Sequence, residues 1–299
     1  MSPPGPPTDP STDPASAGTL ARLRAEIDRI DDAMHDLLMQ RAEVVKRVGR
    51  EGGKGGVAIR PGREAEILRR LLARHQGDLP PRVLPRIWRE LFAATTTMQG
   101  SYVVTVCEPD PSAAAGIPAL QPLAREHFGA LTPMRVHRTP AQAIGEVSAR
   151  TAIAAVLPMP REDETPREAW WTALMHRDEP RIHVVARLPF WSKRPEGAPQ
   201  AHALVVAAVA PDASSHDRSL IGLELNPATS RTRLTAALAA AGLPATSILL
   251  RRDPVAAQAL VEVEGMLAES DPRLAALTDV LRRPVILGAY AVPVDGDAA

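Results

Sequence analysis

Leu20-Ala-Arg-Leu23-Arg24-Ala-Glu-Ile27-Asp-Arg-Ile30-Asp31-Asp-Ala-Met34-His-Asp-Leu37-Leu-Met-Gln-Arg41-Ala-Glu-Val44-Val-Lys-Arg-Val48 is the stretch that decides the fold. Its apolar residues fall at spacings of 3, 4, 3, 4 and 3 from Leu20 to Leu37. They resume in register at Val44 and Val48, with Arg41 in the missing place. A 3.5-residue period held over about four heptads indicates one long helix packing along another helix. About thirty residues at 1.5 Å each give a rod of about 45 Å. Gly49-Arg-Glu-Gly-Gly-Lys54-Gly-Gly56 follows, too rich in glycine to continue a helix.

Two shorter helices come next. One starts after Arg60-Pro61, carries Ile67, Leu68, Leu71 and Leu72 on one face, and ends near His75-Gln-Gly77. The other runs from about Pro81 to Gln99, with Leu84, Ile87, Trp88, Leu91 and Met98 inside, and Gly100 stops it.

Polar residues interrupt these apolar faces. A guanidinium such as that of Arg41 in a helix seam is costly unless a protein carboxylate or a ligand pairs with it. Glu64 lies just before Ile67 and Leu68. Thr95 and Gln99 continue the stripe of Leu84, Trp88 and Leu91. They read either as a buried structural network or as a polar pocket, and Arg, Glu, Thr and Gln in one small bundle favour the pocket. Arg24 lies 17 residues before Arg41, about 26 Å along the axis and about 100° around it. One small ligand cannot touch both from the same helix. Arg24 is then a surface residue, or it serves a second site through a dimer partner.

The whole chain of 299 residues suits two or three domains. Its 45% apolar and 23% charged content is that of a globular protein. Zero formal net charge argues against a nucleic-acid coat or a membrane-surface protein. Residues 19–100 hold 16 Lys and Arg against 11 Asp and Glu, an excess of +5 that fits either an anionic ligand or a solvated face. Residues 1–18, with six Pro and almost nothing to bury, read as a disordered tail. The lone Cys107 permits no internal disulfide and reads as a small core residue. The start lacks the basic and apolar regions of a signal peptide, and the longest apolar run, Ala203–Ala210, is too short to span a bilayer. A cytoplasmic protein is expected.

Beyond Ser101 the pattern changes to alternating elements, which suggest a small α/β unit. Strands are expected at Tyr102–Val106, Met134–His137 and Ala152–Leu157, and helices near Leu120–Phe128 and Pro140–Ala149. Residues 160–200 are rich in Pro and charge, but hold four of the nine aromatics (Trp170, Trp171, Phe190, Trp191), so part of this stretch packs. From Ser219 the order is strand Leu220–Leu225, helix Ser230–Ala241, strands Ala245–Leu250 and Ala259–Val263, helix Pro272–Leu281 and strand Val285–Val292. This βαββαβ order is ferredoxin-like.

Residues 19–100 resemble the all-helical class of chorismate mutases. The resemblance rests on Leu23–Asp31, Leu37–Arg41, Val48-Gly49, Arg60–Leu68 and Thr95–Gln99. It implies a three-helix fold in an intertwined homodimer, each site taking one arginine from the partner's long helix. By this resemblance chorismate is the substrate. Arg24 from the partner and Arg41 hold its two carboxylates, and Arg63 supports that binding. Glu64 takes the substrate hydroxyl, Thr95 a carboxylate, and Gln99 the ether oxygen. Two positions depart from the family. Its loop lysine falls on Gly52, so Lys54 must come from a shifted loop, and Arg60 stands where an acid is expected. The implied reaction is an intramolecular rearrangement without nucleophile, metal or redox cofactor. Arginine clamps fold a flexible dianion, and Lys and Gln donors meet negative charge on the ether oxygen.

Residues 101–299 resemble, more weakly, the prephenate dehydratase and ACT parts of fused chorismate mutase–prephenate dehydratases. Phe128-Gly129 and Ala152–Pro158 echo the first dehydratase lobe, and 219–292 the ACT domain with its amino-acid effector. The Thr-Arg-Phe motif is absent, and Met159-Pro-Arg-Glu162 replaces glutamate-asparagine-serine. Pro227-Ala-Thr-Ser230 does not match the Gly-Ala-Leu-Val effector motif, and Leu250–Pro254 only echoes Glu-Ser-Arg-Pro. The 60 residues between Pro158 and Ser219 are too few for a second lobe. The expected organisation is a tail (1–18), a mutase domain (19–100), a truncated dehydratase-like α/β region (101–215) and an ACT-like domain (216–294). Two other readings share the helical fold: an isochorismate-pyruvate lyase, and a non-catalytic sensor dimer. Glu64 and the large C-terminal half favour the mutase.

Overall fold

A computed structural model describes residues 14–51, 59–108, 119–191, 194, 196–252, 257–277 and 280–296, with side chains from residue 17. Residues 1–13, the glycine loop with Lys54, and Asp253-Pro254 lie outside the described residues. The chain forms two compact units, one up to Lys54 and one from Gly55.

The first unit is a single helix, α1 (Pro14–Glu51, 38 residues). It begins earlier than the apolar pattern, so residues 14–18, expected in the tail, are helical. Pro14 suits the first helical position, where no N–H is needed. The heptad stripe runs along it, interrupted only by Arg41. Leu20, Leu23, Ile27, Ile30, Met34, Leu37, Val44 and Val48 are all between 47% and 63% exposed.

The second unit opens with α2 (Pro61–Ala73) and α3 (Val83–Thr97). An α/β part follows: β1 (Val104–Cys107), α4 (Gln121–Phe128), β2 (Met134–His137), α5 (Pro140–Ser148) and β3 (Ala154–Pro158). A 3-10 helix (Trp170–His176) leads to β4 (His183–Leu188) and β5 (Ala203–Ala207). The last part holds β6 (Asp217–Leu225), α6 (Arg231–Ala240), β7 (Ala245–Arg252), β8 (Ala257–Glu264), α7 (Pro272–Ala275) and β9 (Val285–Ala291).

These strands form one sheet in the order β2-β1-β3-β5-β4-β9-β6-β8-β7. β1 is parallel to β2 and β3, and β5 is antiparallel to β3 and β4. The last four strands are wholly antiparallel, in the ferredoxin arrangement expected from their βαββαβ order. The two halves join at one pair, Val184 beside Gly288. Gly288 has φ +144°, and a Cβ there would lie 2.1 Å from the Val184 carbonyl oxygen, so only glycine lets β9 reach β4.

Three differences from the sequence reading have physical causes. β4 and β5 fall in or just after a Pro-rich, charged stretch, yet β5 is buried throughout. Trp170 and Trp171 pack beneath this sheet, their indole N–H groups donating to the Pro158 carbonyl (3.0 Å) and to Glu164 (2.6 Å). Second, α7 has four residues instead of running to Leu281. Leu281 donates its N–H to the Glu224 carbonyl, so the chain turns back along the end of β6. Third, α2 and α3 belong with the α/β body rather than with α1 alone. Ala65 and Leu68 of α2 and Phe92 of α3 share a core with Phe190 and Ala291.

α3 also turns a different face inward than expected. Pro85, Arg89, Phe92 and Ala93 are its buried residues. Leu84, Trp88 and Leu91 are only half-buried, and Ile87 and Met98 are exposed. The inward face is rotated by one residue, about 100°.

Candidate active site

α2 lacks a capping side chain of its own. Arg60 stands at its N-cap and makes no side-chain cap, and Pro61 opens the first turn. The orphan N–H groups are met by Asp212, from the segment between β5 and β6. Gly62 N–H donates to Oδ1 at 3.0 Å and Arg63 N–H to Oδ2 at 2.9 Å. Arg60 Nε lies 3.4 Å from Oδ2 of the same carboxylate. Gly62 is buried, and a Cβ there would lie 2.2 Å from the Asp212 carbonyl oxygen. Two turns on, Arg69 donates to Ser214 Oγ (2.9 Å), the His216 carbonyl (3.1 Å) and the Val292 carbonyl (2.6 Å).

This first turn carries Arg63 and Glu64. Arg63 is exposed, 3.4 Å from Glu66. Glu64 Oε2 accepts from Arg89 Nη1 at 2.5 Å, with side chains 19% and 6% exposed. The Arg89 guanidinium stacks 5.2 Å over Phe190 and 6.0 Å over Phe92. Burial pulls Arg89 below the usual guanidinium range, opposed by the Glu64 charge. Burial, then Glu64, pushes the Tyr102 hydroxyl upward. Burial, then Arg89, holds His127 well below the ordinary imidazole value.

Thr95 is half-buried on α3, and its hydroxyl donates to the Leu91 carbonyl at 2.8 Å. To hold a carboxylate it must rotate away from that back-bond. Gln99 is exposed just past the end of α3, which stops at Thr97 rather than at Gln99. On α1, Arg24 is exposed, and Arg41 is half-buried together with Leu38, Ala42 and Val45. Arg24 and Arg41 stand on one continuous helix, so their separation of about 26 Å holds.

The structure therefore brings Arg63 and Glu64 together on one helical turn, joins Glu64 to α3 through Arg89, and places Thr95 further along α3. Sequence reasoning missed Arg89 and Asp212. Arg89 had a signal: it lies on the stripe of Pro85, Phe92 and Ala93, adjacent to the stripe chosen. Asp212 had none, because its role depends on a contact across 149 residues.

The anion that this turn suits is already there, the Asp212 carboxylate. Helix N–H groups and the positive end of the dipole meet there, beside Arg60 and Arg63. A separate cleft of about 490 Å³ lies between α3, α4, Trp191, Arg194 and residues 196–199, lined by Arg82, Arg86, Trp191 and Arg194. None of the described site residues borders it. Among the described residues, no group of three or more His, Cys, Asp and Glu could hold a metal ion. No helix there is long and apolar enough to cross a membrane.

Residues 23–100 match the family described as chorismate mutase type II. A bifunctional chorismate mutase/prephenate dehydratase of Aquifex aeolicus is 32% identical over 133 residues, covering 43% of this chain and 34% of that protein. A protein of the same description from Pseudomonas aeruginosa is 28% identical over 148 residues, covering 48% of this chain and 38% of that protein. The matches thus span little more than a third of these relatives' length. The prephenate dehydratase structure from Streptococcus mutans aligns with 63% of this chain and 97% of its own, at 14% identity and a TM-score of 0.42.

Proposed function

We propose that this chain is a chorismate mutase that rearranges chorismate to prephenate, in a cytoplasmic homodimer with shared sites. Residues 19–100 form the mutase domain, and 101–215 and 216–294 are its accessory, dehydratase-like and ACT-like parts. The observation that carries the reading is the match of residues 23–100 to chorismate mutase type II. The residues the reaction needs stand in that same segment.

The reaction breaks one C–O bond and forms one C–C bond within a single molecule. The protein must fold the substrate and stabilise charge, with no covalent step. Arg41 and the partner's Arg24 grip the two carboxylates, with Arg63 beside them, which brings the reacting carbons together. Glu64 receives the substrate hydroxyl, and Thr95 donates to a carboxylate. Gln99 and Lys54 donate to the ether oxygen as negative charge grows there, which lowers the barrier because the donors are already in place.

The exposed face of α1 supports the homodimer. Eight apolar residues in heptad register, each about half exposed and interrupted by Arg41, form a stripe of the kind that a second helix covers. A second copy also resolves the 26 Å between Arg24 and Arg41, by letting the two arginines of one site come from different chains. Regulation by an amino acid at the ferredoxin-like half is part of the proposal, on its βαββαβ order and antiparallel sheet.

The deciding experiment follows the loss of chorismate absorbance with the purified full chain and identifies the product. Prephenate supports the mutase. Salicylate and pyruvate released when isochorismate is supplied instead, with no prephenate from chorismate, would replace it with the lyase. Binding without turnover would make the chain a non-catalytic sensor.

A further inference from the structure

We propose that Asp212, in the accessory half, is a positioning residue for the mutase site. Its carboxylate sets the backbone of the α2 turn that presents Arg63 and Glu64. The inference rests on the mutase reading above.

Three observations carry it. First, the carboxylate spends one oxygen on each of two successive N–H groups, those of Gly62 and Arg63, which fixes its own rotation and the pitch of the turn. Anions at helix N-termini are favoured by the helix dipole as well as by these bonds. Second, the approach is specific to this sequence. A Cβ at position 62 would stand 2.2 Å from the backbone carbonyl oxygen of Asp212, so Gly62 is what lets the segment carrying Asp212 approach the turn. Third, Arg60 stands at the N-cap of α2 without making a side-chain cap, and it lies 3.4 Å from Asp212. The cap missing from α2's own sequence is supplied by a distant segment.

Arg69 provides the internal comparison. It ties α2 to the same stretch, through Ser214 and the His216 carbonyl, but from two turns beyond the site residues. Loss of Arg69 loosens the docking of α2 without uncapping its first turn. Loss of Asp212 uncaps the turn itself. In the mutase reading Arg63 and Glu64 contact a carboxylate and the hydroxyl of the substrate, groups held in substrate and transition state alike, so a displaced first turn raises KM more than it lowers kcat.

The test measures chorismate kinetics at 25 °C on folded full-length protein, with Tm in parallel. Asp212→Ala should raise KM about fivefold, in line with the loss of one helix cap, and change kcat by less than about twofold. Asp212→Asn keeps one acceptor oxygen and should recover part of the loss. Arg69→Ala should lower Tm and leave KM within about twofold of wild type. Wild-type kinetics in Asp212→Ala would overturn the proposal, as would an equal rise in KM in Arg69→Ala. A wild-type chain that makes no prephenate would refute the mutase reading itself, and the proposal with it.

Discussion

Removing the Arg89 guanidinium should destabilise the second unit by about 3 kcal/mol. Breaking a buried ion pair from one side costs about 3–5 kcal/mol, because the remaining charge is left without a partner. Arg89 is almost fully enclosed, whereas the Glu64 side chain keeps 19% exposure and some access to water, which puts Arg89→Met at the lower end. A unit of this size loses about 2–4 °C of Tm per kcal/mol, so the fall should be about 6–12 °C. Glu64→Leu strands the more deeply buried partner and should cost at least as much. Glu64→Leu combined with Arg89→Met replaces the pair with apolar groups of similar volume and should lie within about 1 kcal/mol of wild type. The singles are then strongly non-additive, with a coupling of several kcal/mol. Urea unfolding followed by tryptophan fluorescence, with calorimetry alongside, measures all four corners of the cycle. The double variant should be folded and inactive with chorismate, which separates Glu64's structural bond from its chemical use. An Arg89→Met protein within about 1 kcal/mol of wild type, or additive singles, would refute the account of this pair.

Three further outcomes are expected. Arg24→Ala and Arg41→Ala should each be nearly inactive, yet mixing them with subunit exchange should restore up to about half the activity per mixed dimer, since one of its two sites is intact; no recovery despite proven exchange would place the two arginines otherwise. Gln99→Glu should turn over at low pH and lose rate as pH rises, because only a protonated acid donates to the ether oxygen, while the wild-type amide does not titrate there; identical profiles for mutant and wild type would remove Gln99 from that contact. His127 is neutral when folded but takes a proton when unfolded below about pH 6.5, so its share of stability is complete above that pH and is lost as pH falls, by up to about 1.4 kcal/mol per unit; unfolding at pH 5, 6 and 7 should show a flatter slope for His127→Gln, and an unchanged slope would mean that His127 is protonated in the native state.

Local patterns were legible and long-range ones were not. The heptads of α1 showed in the sequence because a helix repeats its face every few residues. Ser230 at the head of α6 and Thr139 at the head of α5 cap their helices as their types suggest, at 3.2 and 3.3 Å. The ferredoxin half was largely readable from its apolar strand runs and the turn residues between them, except α7, which stops after four residues. β4 was hidden between Pro180 and Pro189, and the union of both halves into one sheet depends on Gly288 meeting Val184, residues 104 apart in sequence with no local mark. The inward face of α3 was misjudged because it includes Arg89. A charged residue reads as solvated until its partner is seen, and that partner, Glu64, lies 25 residues away on another helix.

The same distinction bears on what the helical segment can do alone. The resemblance implies a pocket lying wholly within residues 19–100, and the site residues it names do lie there. Their setting does not. Asp212 caps the turn of Arg63 and Glu64, the acceptors of Arg69 lie at Ser214, His216 and Val292, and the Phe190 ring covers Arg89. Cut at residue 100, α2 would lose its cap, and Leu68 and Phe92 would lose Phe190 and Ala291 from their shared core. An active site can be named residue by residue from a short segment, because the chemistry selects side-chain types. Its geometry belongs to whatever holds the backbone, and for the first turn of α2 that is a segment of the C-terminal half.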